Sequence, residues 1–149
     1  MPFQTAIRYV CTLEGITAKH LEGFFEGWPD PPSPETHLRL LEHSDHVVLA
    51  VHGDSGDVIG FVTAISDHVL SAFIPFLEVL PEYRGRGIGS ELVRRMLAQL
   101  SGLYMVDLLC DAEVEPFYAS LGMRPTIGMM MRNYERQAGI DPSGSDRKG

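Results

Sequence analysis

Apolar and polar residues alternate between two periods along this chain, and the changes of period mark its elements. Residues 6–11 read as a first strand. Leu21, Phe24, Phe25 and Trp28 then recur at i, i+3, i+4 and i+7, one face of a helix that Thr17 is placed to cap. Pro29, Pro31, Pro32 and Pro34 make a stiff loop, and Ser33-Pro34 is an N-cap and first-turn pair for a second short helix through Leu38 and Leu41. Residues 46–52 and 58–65 are β-branched and apolar, and Gly53-Asp54-Ser55-Gly56-Asp57 joins them as a hairpin. Residues 73–80 are almost continuously apolar, as expected of a strand buried on both faces. Ile88, Leu92, Val93, Met96, Leu97 and Leu100 form a helical stripe. Residues 103–110 read as another buried strand, and Val114, Phe117, Tyr118 and Leu121 as a short helix stopping at Gly122. Residues 126–134 read as a last strand, on which at least one of Met129, Met130 and Met131 faces the core. The order β-α-α-β-β-β-α-β-α-β predicts an α/β fold, a mixed sheet with helices on both faces.

Length and composition narrow the class. A chain of 149 residues is one domain, here residues 1–136, with a polar, glycine- and serine-containing tail at 137–149 expected to be flexible. No apolar run approaches a membrane span and no secretory leader is evident, so a cytoplasmic protein away from membranes is expected. Cys11 and Cys110 are too few for a disulfide framework and fit no metal-knuckle spacing, so both are expected reduced. The six histidines, including His43-Ser44-Asp45-His46 and Asp67-His68, match no standard ligand spacing, and no metal site is expected.

The net charge of -8 argues against nucleic acid as a partner, because phosphate backbones require a basic face. That average hides a division. Residues 1–83 carry three basic side chains against twelve acids, a net of -9, whereas residues 84–149 carry nine against eight, a net of +1.

The sign changes at the segment with the clearest chemistry. Leu80-Pro81-Glu82-Tyr83-Arg84-Gly85-Arg86-Gly87-Ile88-Gly89-Ser90 joins a buried strand to an amphipathic helix. Three glycines allow a sharp turn and close approach of a ligand to the backbone. The first N–H groups of the following helix point into that turn at the positive end of its dipole, and Arg84 and Arg86 add charge. Such a turn suits a phosphate or pyrophosphate. A dinucleotide fingerprint requires G-x-G-x-x-G near the chain start, and a P-loop requires Gly-Lys-Ser/Thr; neither is present.

Arg84-Gly85-Arg86-Gly87-Ile88-Gly89 resembles the R/Q-x-x-G-x-G/A signature of the GNAT superfamily of acyl-CoA N-acyltransferases. Pro81, and Phe117-Tyr118 followed by Leu121-Gly122-Met123, resemble two further hallmarks in register, and the likeness covers about residues 6–134. The resemblance implies a mainly antiparallel sheet whose central parallel strands splay apart to admit acetyl-CoA. By position, Leu77, Glu78 and Val79 would pair with the pantetheine arm through their backbones, and the Val79 amide would polarise the thioester carbonyl. Arg84 and Arg86 would supply charge while Gly85, Gly87, Ile88, Gly89 and Ser90 hold the pyrophosphate. Tyr118 aligns with the family's general acid, a phenol that stays protonated at neutral pH. Asp111 stands where many members carry Asn; it keeps acceptor oxygens but lacks the NH₂ donor, and is instead expected to cap the following helix.

Glu78 and Asp107 are each lone carboxylates inside apolar strands. An ionised group there is costly unless paired or facing a cleft, so each is a candidate base or substrate anchor, or else the partner of Arg124, Arg132 or a backbone donor. The family's acceptor side lies among the N-terminal helices and their loop, the acidic half of this chain. A cationic small-molecule amine attacking directly in a ternary complex is therefore the expected acceptor, with a peptide N-terminus as an alternative. A non-catalytic acyl-CoA-binding domain is the rival class. Members often dimerise, so a homodimer is among the implied partners.

Overall fold

Five strands form one sheet in chain order, and all neighbours are antiparallel except the last pair. In this computed structural model, which describes residues 6–140, they are β1 (Ile7–Val10), β2 (His46–His52), β3 (Val58–Ser66), β4 (Ser71–Val79) and β5 (Met105–Asp107). Helix α1 (Pro34–His43) precedes β2, α2 (Ile88–Gln99) carries the chain from β4 to the parallel β5, and α3 (Glu115–Ala119) follows. The Ser33 hydroxyl accepts the Thr36 N–H at 3.1 Å, and Pro34 opens α1, as the sequence indicates.

The strands present two faces to two cores. On one, Val48, Val62, Ala64, Ala72 and Ile74 meet Ile88, Leu92, Met96 and Leu100 around α2. On the other, Val47, Leu49, Val51 and Phe61 meet Leu41 of α1 with Leu21, Phe24 and Phe25. Leu92, Met96, Leu49 and Phe61 are wholly buried, each such side chain contributing about 2 kcal/mol by leaving water.

Two irregularities in β4 shape everything downstream. Phe76 is opposite Thr63 and Phe73 opposite Ile65, so β4 spends three steps where β3 spends two. The extra residue is a β-bulge at Ile74-Pro75, where a proline without an N–H is tolerated. Because Thr63 and Ile65 share a face, their partners Phe76 and Phe73 share it too, although a spacing of three would otherwise separate them. The second irregularity is the short β5. Only Ser71, Ala72 and Phe73 pair with it, and the strands part beyond Phe73 and Asp107.

Several expectations are corrected. The segment from Thr17 to Trp28 is not a helix: only Ala18–His20 form one 3-10 turn. Gly23 (φ +92) and Gly27 (φ +82) adopt left-handed backbone within it, and glycine inside a helix costs about 1 kcal/mol against alanine. Leu21, Phe24 and Phe25 are nonetheless buried, so the apolar spacing located the core and not the conformation. The strand expected at 103–110 is confined to Met105–Asp107, where only Val106 turns to the α2 core. No strand forms at 126–134; its backbone finds no ladder on so short a neighbour, and Met129, Met130 and Met131 are all exposed rather than partly in the core. The last helix is shorter than 114–121, at Glu115–Ala119. Residues 137–140 are held in place: the Gln137 side-chain oxygen accepts the Asp30 N–H at 2.9 Å, and Arg39 donates to the Ile140 carbonyl at 3.0 Å. The rest of the expected tail, 141–149, lies outside the described residues.

Candidate active site

Where β4 and β5 part, a cleft of about 550 Å³ opens, bounded by the end of β4, the glycine turn and α3. Leu77, Glu78, Val79, Arg84, Gly85, Gly87, Ile88, Gly89 and Ser90 all line it, nine of the residues singled out by sequence, joined by Tyr83, Val114 and Phe117. The Leu80 N–H donates to the Ile59 carbonyl of β3 at 2.8 Å. Strand alternation therefore turns the N–H and carbonyl of Val79 the other way, into the cleft.

Gly85 (φ +77) and Gly87 (φ +81) both take left-handed backbone, and Gly87 immediately precedes α2. A glycine there has no side chain to cap the helix, and no side-chain cap is formed. The amides of the first turn thus face the cleft at the positive end of the α2 dipole. A β-carbon at Gly89 would make ordinary contact, 3.7 Å from the Phe117 ring and 3.9 Å from a Val79 methyl, so packing alone does not require glycine at this position. Uncapped amides, a cationic side chain and an unpaired strand edge fit an extended anionic ligand such as acetyl-CoA.

The two arginines of the turn do different things. Arg84 lines the cleft; its Nε donates to the Val79 carbonyl at 2.9 Å and its Nη2 to Glu26 at 2.9 Å. Arg86 instead stacks over the Tyr83 ring at 5.3 Å and donates to the Glu82 carbonyl, outside the lining of the cleft.

Glu78 meets backbone donors, one of the alternatives its place in an apolar strand allows. Its two oxygens accept consecutive backbone N–H groups, from Phe25 at 2.9 Å and Glu26 at 3.3 Å. Phe25 reaches this position in left-handed backbone (φ +60), rare for a bulky residue. The carboxylate thus ties the 23–28 loop to β4, and Glu26 extends the tie to Arg84. No local sequence signal marks this link, which spans more than fifty residues.

Asp107 is exposed, and among the described residues its carboxylate makes no hydrogen bond or ion pair. It is the last β5 residue paired with β4, and its partner is Phe73. Val106 faces the α2 core, so Asp107 faces the opposite side, the side of Phe76 and Glu78. Neither carboxylate pairs with Arg124 or Arg132.

Tyr118 is half-buried on α3 beside Phe117, with ring centres 4.9 Å apart, and it does not line the cleft itself. Burial first, and then the nearby Cys110 thiol, push its phenol up to about 12, so it keeps its proton throughout the working range. Asp111 precedes the 3-10 turn Ala112–Val114 in N-cap position, but its side chain makes no capping bond. Cys11 and Cys110 are free and exposed.

The flagged histidines serve the fold. Asp45 receives the Ser66 N–H at 2.8 Å and pairs with His68 at 2.9 Å, tying the β3–β4 turn to the start of β2, and these bonds lower its carboxyl below the usual range. Among the described residues, no group of three His, Cys, Asp or Glu side chains is placed to hold a metal, and no helix is long and apolar enough to cross a membrane.

This architecture and its sequence match the acetyltransferase (GNAT) family over residues 13–123. The chain belongs to the GNAT family. A crystallised candidate acetyltransferase from Deinococcus radiodurans R1 is 52% identical with a TM-score of 0.88, covering 91% of this chain and 94% of that one. Histone acetyltransferase TAP1 of Glycine max is 31% identical over 106 residues, 64% of this chain and 46% of TAP1. The chain thus spans about half the length of the curated relatives it matches first. An aminoglycoside N-acetyltransferase in complex with CoA shares the GNAT fold at 19% identity and a TM-score of 0.61, over 89% of this chain and 97% of that one. GNAT acetyltransferases take their acetyl group from acetyl-CoA, which the cleft's uncapped amides and unpaired β4 edge suit.

Proposed function

We propose that this chain is an N-acetyltransferase that moves the acetyl group of acetyl-CoA to a primary amine, a cationic small molecule, by direct attack in a ternary complex. The observation that carries the reading is the parting of β4 from β5 directly beside the uncapped start of α2. The α2 amides and Arg84 bind the pyrophosphate, and Leu77 and Val79 offer backbone groups to the pantetheine arm. Val79 lies about five strand steps beyond the Phe73–Asp107 pair, so in this reading its N–H holds the pantetheine arm while the carbonyl under attack sits nearer Asp107.

In the transfer, the amine nitrogen bonds to the acetyl carbon as the carbon–sulfur bond breaks. The bound ammonium first gives one proton to Asp107, directly or through water, which frees the nitrogen lone pair for attack. The departing sulfur takes the Tyr118 proton, and the second nitrogen proton passes to the phenolate so formed. Asp107 is assigned this role over Glu78 because its oxygens are uncommitted, whereas both Glu78 oxygens hold the 23–28 loop. The excess of acid over residues 1–83 draws a cation to this side.

The experiment is CoA release with saturating acetyl-CoA and a broad amine panel, comparing the native chain with Tyr118→Phe. General acid catalysis is worth about 10²–10⁴-fold, so kcat falls at least about a hundredfold while acetyl-CoA KM changes little. Unchanged turnover in Tyr118→Phe removes Tyr118 from the mechanism. Acetyl-CoA binding without CoA release from any amine favours a non-catalytic acyl-CoA-binding domain.

A further inference from the structure

The bulge in β4 places Phe73 and Phe76 on one face of the sheet, together with Glu78, Asp107 of β5 and Ile65 of β3. The upper part of this face, around Phe61, is sealed by α1 and the 23–28 loop. The lower part is not. Ile65 is 56% exposed, Phe73 40% and Trp28 37%, and the Trp28 ring lies 6.4 Å from that of Phe76 and 4.9 Å from that of Phe25. Trp28 thus meets Phe76 on this face, and Phe73 lies farther along the same face opposite Ile65, with Glu78 toward one end and Asp107 toward the other.

Scattered exposed apolar residues need no explanation, but three aromatic side chains on one face, flanked by two carboxylates, form a composite surface of defined chemistry. Aromatic faces attract flat apolar groups and cations, and the uncommitted Asp107 carboxylate attracts an ammonium. This surface spans about four strand steps, or about 13 Å, the length of a small ring system with a short amine-bearing chain. It is also continuous with the cleft, since Glu78 belongs to both and Asp107 stands where the strands part.

We propose that the acceptor is a small arylalkylamine, its ring laid on Phe73, Phe76 and Trp28 and its ammonium held at Asp107. This rests on the transferase reading above and specifies the carbon body of the substrate. A purely polar polyamine would leave the three rings wet, and a second copy of the chain would bury both carboxylates against an apolar face at a cost in desolvation.

The test is steady-state CoA release with saturating acetyl-CoA, comparing 2-phenylethylamine and tryptamine with n-butylamine and spermidine. The aromatic amines are expected to show kcat/KM at least tenfold above n-butylamine. Phe73→Ala is expected to reduce that aromatic-to-aliphatic ratio about tenfold, and Asp107→Asn to lower kcat/KM for every cationic amine. Met129→Ser, which alters an exposed apolar residue outside this surface, leaves the ratio as it was; circular dichroism of each variant controls for folding. Equal kcat/KM for aromatic and aliphatic amines, or a Phe73→Ala ratio equal to native, overturns the proposal while leaving the transferase reading intact. So does a concentration-dependent dimer in sedimentation velocity that Phe73→Ala dissociates, because the surface is then covered by a second copy. No CoA release from any amine overturns both readings together.

Discussion

Two places in this molecule present backbone amides to an anion from left-handed backbone, and they differ in where the anion comes from. At Phe25 and Glu26 the anion is internal: the Glu78 carboxylate fills the site, and the loop becomes part of the fold. At the start of α2, beyond Gly87, no side chain caps the amides, and the site opens on the cleft. The same backbone device thus serves stability in one location and, in the proposed reading, ligand binding in the other. Arg84 joins the two, with one end on the carbonyl of Val79 and the other on Glu26.

Removing the internal anion is the hardest blow to this contrast. Glu78→Ala leaves two amides without their acceptor; bonds to a charged group are worth about 1.5–3 kcal/mol each, so a loss of about 3 kcal/mol is expected in urea unfolding. Acceptor KM should rise with it, because the loop carrying Trp28 loses its tether. A Glu78→Ala chain as stable as the native one would show that the tie is incidental.

A second test compares paired amides with an unpaired imidazole. His37 is wholly buried, its ring nitrogens have no partner among the described residues, and it is ringed by Phe24, Phe25 and Phe61 at 5.2, 4.9 and 4.4 Å. Burial pushes it down to about 4 from 6.5. The unfolded chain therefore binds a proton there before the folded one does, and stability falls as pH drops from about 6.5 towards 4. The expected loss is about 2 kcal/mol between pH 7.5 and 5, on the scale of 1.36 kcal/mol per pH unit. His37→Phe should flatten that part of the profile; an unchanged slope would place the sensitivity elsewhere.

At the open site the expected effect is smaller. Gly87→Ala forces a β-carbon into left-handed backbone, costing about 1 kcal/mol, and should raise acetyl-CoA KM about fivefold with little change in acceptor KM. Smallest of all is Glu26→Gln. Both partners of its ion pair are 51% exposed, and such pairs are worth about 0–1 kcal/mol, so stability should barely move. Acetyl-CoA KM should fall about twofold as Arg84 is released to the cleft; a rise instead would mean that Glu26 positions Arg84 for its ligand.

The cleft was legible because its chemistry is local. A run of eleven residues, from Leu80 to Ser90, carries the turn, the charge and the helix start, and nothing distant is needed to recognise it. The acceptor side was legible only as burial. The spacing of Leu21, Phe24 and Phe25 marks an apolar face that the structure buries, but it also predicts a helix, which Gly23, Gly27 and the remote Glu78 carboxylate prevent. The C-terminal strand failed for a related reason: apolar residues at 126–134 announce a surface that can be covered, while a strand also requires an edge to bond, and β5 offers three residues. Tyr83, Val114 and Phe117 joined the cleft without being singled out for it, since their contribution is shape and not a recognisable chemistry.

The extra residue at Ile74-Pro75 works as a phase shift in the pattern of facing along β4. Upstream of it, odd-numbered residues look toward the face of Phe73 and Ile65; downstream, even-numbered ones do. Deleting one residue there would rotate Phe73 and its neighbours to the other side of the sheet while leaving Leu77, Glu78 and Val79 in phase with the donor cleft. If this face receives the acceptor as proposed, strand length at this point is a specificity dial separate from the donor cleft, one that an insertion or deletion turns in a single step and a point substitution cannot.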